Sequence, residues 1–296
     1  MEKVQEERAA GMAGLVHIDR IDHNHFIGQA GTSNGTASIF GGQILGQALA
    51  AAGQVVARRP HAMSGTFQRA GQVDRSIVYR VHGGRDGGRF ANRQVVAEQD
   101  GQCIAEFSIG FHDEEDGFVH DSGWCRRPST PERLPDLESA GARFEHVPRA
   151  TQRALQRQPE LDLRPVEPER LFDVAEGAAR PLTYWLRARS DLSAMPSLWA
   201  PALAYMSDYL TAAAGLIHHA RFLMPPDLFG TTLNHSLWLH RVVDPSRWLY
   251  CELESHCAVD GRTLNMGKIR DEHGRIVATL GQEALLRRRR PRPAAS

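Results

Sequence analysis

Several features are scarce in this 296-residue chain, and each scarcity removes a class of protein. Lys and Arg total 35 and Asp and Glu total 35, so the formal net charge is zero. A chain built mainly to hold nucleic acid needs excess positive charge, so a nucleic-acid partner is not expected. Cysteine is scarce: Cys103, Cys125, Cys251 and Cys257 show no C-x-x-C spacing, and they read as free thiols in a reducing cytosol. Long apolar runs are missing. The longest, residues 44–57, is too short to span a bilayer and contains Gln47 and Gln54. Residues 1–15 are charged and have no apolar h-region, so no secretory signal and no membrane span are expected, and the location expected is cytoplasmic. Fourteen histidines include no H-E-x-x-H motif. His23-Asn24-His25 and His218-His219 are the clusters in which a metal would have to be sought, but local hydrogen bonding is the ordinary state of such groups, and no metal is expected.

What is present is a chain with 42% apolar and 24% charged residues, long enough for two domains of ordinary size or one large one. Its organising stretch is residues 203–215. Leu203, Met206, Leu210 and Ala213/Ala214 recur at helical spacing, and Gly215 is a stop signal, so the pattern predicts one helix. Asp208 is the anomaly, a carboxylate in an apolar segment. Residues 231–241 and 278–284 read as strands that carry polar residues where a core strand is normally apolar. An earlier helix, residues 40–52, is made of small residues that let another backbone approach. Gly41 and Gly42 open it and leave backbone N–H groups that can face an anion or a developing oxyanion.

The remaining elements follow from pattern. A strand is expected within residues 16–26, then a strand-rich block over 63–112. Gly83-Gly84-Arg85-Asp86-Gly87-Gly88 lacks the spacing of a dinucleotide-binding fingerprint and reads as a turn. Asp100-Gly101 reads as a hairpin turn. Residues 113–180 are charged and punctuated by proline, as a connector with short helical pieces would be. The second half then repeats the first. Gly88-Arg89-Phe90-Ala91-Asn92 aligns with Gly261-Arg262-Thr263-Leu264-Asn265, and Gly101 with Gly274, both at an offset of 173. A helix on a curved antiparallel sheet, present twice, is an α+β double hot-dog. The expected division is an N-terminal repeat over 1–120, a connector over 121–180 and a C-terminal repeat over 181–296 that ends in the basic run from Arg287 to Arg292, read as a solvated tail.

These motifs resemble the type II acyl-CoA thioesterases, which are double hot-dog proteins, and the resemblance spans about residues 40–287. Phe40-Gly41-Gly42-Gln43-Ile44-Leu45-Gly46-Gln47-Ala48-Leu49 is similar to the family's first-helix motif, with Gly41, Gly42 and Gln43 as the implied substrate-binding residues. Arg85-Asp86-Gly87 and Asp162-Leu163-Arg164-Pro165-Val166-Glu167 also match. Tyr205-Met206-Ser207-Asp208 resembles the second-helix motif, Asn234-His235-Ser236-Leu237-Trp238-Leu239-His240 the following strand, and Gln282-Glu283 the last catalytic position. The resemblance implies hydrolysis of acyl-CoA by Asp208, Thr232 and Gln282, with no metal or organic cofactor. The chemistry stands without the family: a buried carboxylate can take a proton from water, while a hydroxyl and a carboxamide direct that water. Thr231 adjoins Thr232, and strand alternation lets only one of them face Asp208. Asn234 departs from the family, which commonly has Asp there. A hot-dog hydratase or dehydratase and a non-catalytic acyl-thioester binder are the competing readings. Gln43 aligns with Asp208 and Ile109 with Gln282, so one working site per chain is expected. Homo-oligomerisation is left open.

Overall fold

A computed structural model describes residues 11–29, 31, 38–124, 127–155, 159–174, 181–223, 225 and 227–288. The first repeat comprises α1 (Met12–Val16), β1 (Asp19–Arg20), β2 (His25–Gly28), α2 (Gly41–Gly53), β3 (Arg59–Phe67), β4 (Ile77–Asp86), β5 (Phe90–Gln99) and β6 (Gln102–His112). After it come α3 (Leu137–Gly141), α4 (Arg149–Leu155), β7 (Leu161–Pro165) and α5 (Glu169–Phe172). The second repeat comprises β8 (Leu182–Ala188), α6 (Trp199–Ser207), α7 (Thr211–Ala214), β9 (Leu228–Leu239), β10 (Leu249–Val259), β11 (Arg262–Arg270) and β12 (Ile276–Arg288).

All twelve strands form one antiparallel sheet in the order β1-β2-β4-β5-β6-β3-β9-β12-β11-β10-β8-β7. The order is the same read from either end once each strand is matched with its counterpart, so the molecule is a double hot-dog with an internal pseudo-two-fold. The axis passes between β3 and β9, where Ser64 and Ser236 face each other across the join and their hydroxyls lie 3.0 Å apart. Alternate residues of each strand point inward. Met63, Val95, Phe107, Ile109 and Phe111 bury one face of the first repeat under α2, and Leu237, Leu253, Ile269 and Leu280 do the same in the second. The hairpin chemistry is local: Asp100 and Gly101 have φ of 49° and 74°, and Asp260 and Gly261 have 51° and 72°, the positive values that a two-residue turn needs.

Several expectations need correction. The helix predicted over 203–215 is broken: α6 ends at Ser207, Leu210 sits in the left-handed region at φ 61°, and α7 starts at Thr211. Residues 16–26 hold the end of α1 and two short strands rather than one strand. The turn expected over 83–88 is mostly strand, since β4 continues through Asp86. The 121–180 connector contributes β7, which pairs with β8 at the sheet edge. It is also anchored through Asp121, whose carboxylate lies 3.0 Å from Arg241 and accepts from the Ile276 N–H, and through Trp124, packed edge-on against Tyr250. The offset of 173 relates β6 to β12, but β3 to β9 and β5 to β11 differ by 172. In register terms Met63–Ile109–Arg93 corresponds to His235–Gln282–Asn265, so Arg93 and not Asn92 is the counterpart of Asn265. Between matched pairs the β11–β12 hairpin is one residue longer, since 109 − 93 = 16 and 282 − 265 = 17. The basic run begins inside β12, and the residues after Arg288 lie outside those described. Among the described residues no helix is long and apolar enough to cross a membrane.

α6 lies antiparallel along α2, and glycine makes that approach feasible. A Cβ on Gly46 would sit 2.8 Å from the Pro201 carbonyl and 2.8 Å from Val16, and one on Gly42 would collide with the Tyr205 carbonyl. Phe40 closes the contact edge-on to Tyr205 at 5.1 Å. A Cβ on Gly53, at the other end of α2, would meet nothing within 4 Å. Gly46→Val is therefore expected to cost about 1–3 kcal/mol by overpacking. Gly53→Ala, by contrast, should be neutral or gain up to about 1 kcal/mol. Urea unfolding of the two variants beside the wild type checks this, and equal losses at both positions would refute the close-approach account.

Candidate active site

The break in the second helix is what delivers Asp208. At the C-cap of α6, Asp208 leaves the helix axis, and its carboxylate reaches the N-terminus of α2 in the other repeat. α2 has no side-chain cap and no acidic residue in its first turn. Asp208 supplies the missing anion from outside: the Gly42 N–H donates to it, and a Cβ on Gly41 would lie only 2.8 Å from its Oδ2. Gly41 is thus required by space. Of the two partners expected for the glycine N–H groups, an anion or a developing oxyanion, that of Gly42 has the anion, the Asp208 carboxylate.

Asp208 Oδ1 accepts from two more donors, the Thr232 hydroxyl at 3.2 Å and the Gln282 amide nitrogen. Thr232, not Thr231, is therefore the threonine that faces it. Gln282 is fully buried and Asp208 nearly so, and burial pushes the Asp208 carboxyl from its usual range up to about 6, against the lowering effect of the Gln282, Thr232 and Gly42 hydrogen bonds.

His235 was not among the expected site residues, yet it completes the cluster. Its ring is fully buried on β9, directly opposite Gln282 on β12. The Ser207 hydroxyl donates to the Ala204 carbonyl, so at 2.9 Å from His235 it accepts from Nε2–H. Nδ1 is then the acceptor, and it takes the second N–H of Gln282 at 3.1 Å. Burial lowers the His235 pKa to about 3, so the ring is neutral at any ordinary pH. Its spacing of three from Thr232 would put the two on opposite faces of a regular strand; the irregularity at Asn234 and Thr232, which pair with Glu283 and Ala284, brings both to one face. With both amide hydrogens of Gln282 spoken for, its buried Oε1 has no protein partner.

Gln43 does not join this cluster. Its amide donates to the carbonyls of Leu15 and Gln29 and accepts from the Gly31 N–H, pinning the N-terminal segment over α2. The substrate-binding role expected for it is not supported by that placement. Register makes Pro60, Met63 and Ile109 of the first repeat the counterparts of Thr232, His235 and Gln282 of the second, so the matching positions in the first repeat are apolar. Asn234 has a local account. It lies opposite Glu283 and donates to it at 3.0 Å, while Glu283 also pairs with Arg262 at 3.1 Å, so an Asp at this position would face a carboxylate. Among the described histidines named as metal candidates, His25 is engaged locally, with Nδ1 2.8 Å from Asp22.

Fold and site together define a double hot-dog protein with a buried carboxylate, amide and hydroxyl where its two repeats meet. Residues 29–112 match the family model described as the acyl-CoA thioesterase N-terminal domain, and residues 130–286 match that of the C-terminal domain; the chain belongs to the acyl-CoA thioesterase family. It is similar to acyl-CoA thioesterase 2 of Haemophilus influenzae, with 29% identity over 92% of this chain and 96% of the relative. It is also similar to human acyl-coenzyme A thioesterase 8, with 27% identity over 84% of this chain and 80% of the relative. Among solved structures, an acyl-CoA thioesterase II from Mycobacterium marinum superposes with a TM-score of 0.75 at 29% identity, covering 96% of this chain and 99% of that one.

The raised Asp208 pKa has a consequence for stability. The native state takes up a proton near pH 6, the unfolded chain only near 3.8. Protonation therefore favours the native state as pH falls between those values, and that gain, of order 3 kcal/mol, is lost as pH rises through about 6. Asp208→Asn removes the effect. The melting temperature of the variant minus that of the wild type should be most positive above pH 7 and should fall toward pH 4. A difference independent of pH would show that Asp208 is not a high-pKa group.

Proposed function

We propose that this chain hydrolyses acyl-CoA thioesters to free acid and CoA, with Asp208 as general base. The observation that carries the reading is the geometry around the carboxylate. Three donors hold it in a dry site, and the adjoining Oε1 of Gln282 remains able to accept from a water. A water beside Asp208 would donate one hydrogen to the carboxylate and the other to Gln282 Oε1. The Thr232 hydroxyl, whose hydrogen is given to Asp208, keeps lone pairs on the same side. Asp208 takes the proton as the water oxygen bonds to the thioester carbon. The tetrahedral oxyanion forms near the positive end of α2, at Gly41. The C–S bond then breaks, and the departing thiolate recovers the proton from Asp208, which restores the carboxylate.

The dehydratase reading is weakened by His235. Both of its nitrogens are occupied, by Ser207 and Gln282, and its depressed pKa leaves no route to shuttling protons. We also propose one working site per chain, because Gln43, Pro60, Met63 and Ile109 offer the first repeat no base and no water-directing amide.

Release of free thiol from a panel of acyl-CoAs tests the reading. Turnover should fall on the acid side with a midpoint near pH 6, since the base must be ionised. Asp208→Asn should lower kcat at least about a hundredfold at pH 8. Saturable acyl-CoA binding without thiol release would replace hydrolysis by a carrier role. Titration with a slowly released thioester analogue should give close to one site per chain, and a value near two would assign chemistry to the first repeat as well.

A further inference from the structure

The inward row that starts at the candidate site does not stop at Gln282. His235, Gln282, Asn265 and Ser255 stand directly opposite one another across β9, β12, β11 and β10. The first three are fully buried and Ser255 is half-buried, so the row leads from the interior toward the surface. Its neighbour on the same face, Leu237–Leu280–Gly267–Leu253, is apolar throughout. In the first repeat the corresponding row is Met63–Ile109–Arg93, and Arg93 is turned to Asp86 at 2.7 and 3.0 Å. A polar row through a packed sheet face is costly unless its groups are satisfied.

Asn265 is not satisfied by protein. Its Nδ2 donates to the Thr263 hydroxyl at 3.1 Å, but its Oδ1 is buried and has no partner. The same is true of Gln282 Oε1 on the opposing strand. Two fully buried side chains that face one another across a ladder thus each hold an acceptor with no protein partner. Directly opposed residues on one sheet face have Cβ atoms about 5 Å apart, so a single donor can serve both. A water has the two hydrogens that are required and is the ordinary occupant of such a site.

We propose that Asn265 and Gln282 together hold a buried water, and that this water lies on a supply line from Ser255 to the nucleophile position beside Asp208. The inference rests on the hydrolytic reading above and adds to it a positioning residue, Asn265, and a route. Each turnover consumes one water in a site that the acyl-CoA itself closes from the substrate side. A polar row entering from the opposite edge lets the next water arrive without passing the bound chain. Asn265 also fills one lone pair of Gln282 Oε1 through the shared water, which fixes the plane of the amide that directs the nucleophile.

The test combines Asn265→Leu, which keeps the volume and removes the acceptor, with Asn265→Ser, which keeps an acceptor and leaves room for water. Asn265→Leu should lower kcat about tenfold or more with KM within about threefold of wild type. Its acid-side midpoint should stay unchanged, because Asp208 is untouched. Asn265→Ser should recover most of the turnover. Wild-type kcat in Asn265→Leu would overturn the proposal, and so would a loss confined to KM in both variants, which would mark Asn265 as a packing residue for the substrate. A crystal structure of the wild-type protein at about 1.5 Å gives a readout independent of activity. Density bridging Asn265 Oδ1 and Gln282 Oε1, absent in Asn265→Leu, supports the water site even if no acyl-CoA is hydrolysed, whereas its absence in the wild type overturns the site and leaves the hydrolytic reading standing.

Discussion

The structure depends on one contact between the repeats, the Asp208 carboxylate set on the N-terminus of α2. A helix end carries unpaired N–H groups and partial positive charge, and α2 begins with glycines that have no side chain to cap it. The second repeat therefore completes the first. Everything needed to bring the carboxylate there is visible in the packing. α6 must lie close along α2, which Gly42 and Gly46 permit, and the chain must turn out of the helix at Asp208, which places Leu210 in the left-handed region at a cost of about 1 kcal/mol or more. Strain at a non-glycine residue beside a buried carboxylate is the kind of cost that persists only where the surroundings over-determine it. Here Thr211 Oγ1 bonds the Ser207 carbonyl at 2.8 Å and bridges the break.

Much of this was legible in the chain. The hairpin turn at Asp100-Gly101, the small-residue helix and the polar residues at inward strand positions all leave periodic or compositional traces. The break at Leu210 leaves none. Tyr209-Leu210-Thr211 contains neither Gly nor Pro, and the apolar spacing runs through it as if the helix continued, because the tertiary contact and not the local sequence sets the backbone there. The registers were off by one in β5 and β11 for a related reason. A matched Gly101 and Gly274 hides a one-residue difference in hairpin length, and only the ladder shows that Arg93, not Asn92, stands opposite Ile109. His235 was overlooked because a histidine within a motif has no periodic signature of its own, and its part depends on a residue 47 positions away.

The duplication has been used asymmetrically. Both repeats share strand order and join through an identical pair of serines at the axis, but the inward row nearest that axis is Met63 and Ile109 on one side and His235 and Gln282 on the other. The apolar row needs no partners. The polar row needs partners: Ser207 of α6 meets His235 Nε2, while Gln282 Oε1 and Asn265 Oδ1 are left without a protein partner. Gln43 shows the same divergence from the helix side. At the position aligned with Asp208 it carries a neutral amide that ties down Leu15 and Gln29, so this position of the first repeat anchors the N-terminal segment.

The orientation of Gln282 follows from the charge states on either side of it. A carboxamide can turn over, exchanging donor for acceptor, at little intrinsic cost, so its direction in a buried site is set by its neighbours. An ionised Asp208 accepts only, and a neutral His235 with hydrogen on Nε2 presents an acceptor at Nδ1. Both demand that the nitrogen of Gln282 face them, and the oxygen is thereby turned away from both, without a protein partner. Burial enforces each condition by a different sign of the same effect: it keeps the imidazole uncharged by lowering its pKa to about 3, and it raises the carboxyl to about 6 without pushing it above neutrality. Three donors to Asp208 set that limit, because without them desolvation alone would carry the carboxyl higher. The Gly42 N–H of the first repeat is one of the three, so the contact that joins the repeats also favours the ionised form of Asp208.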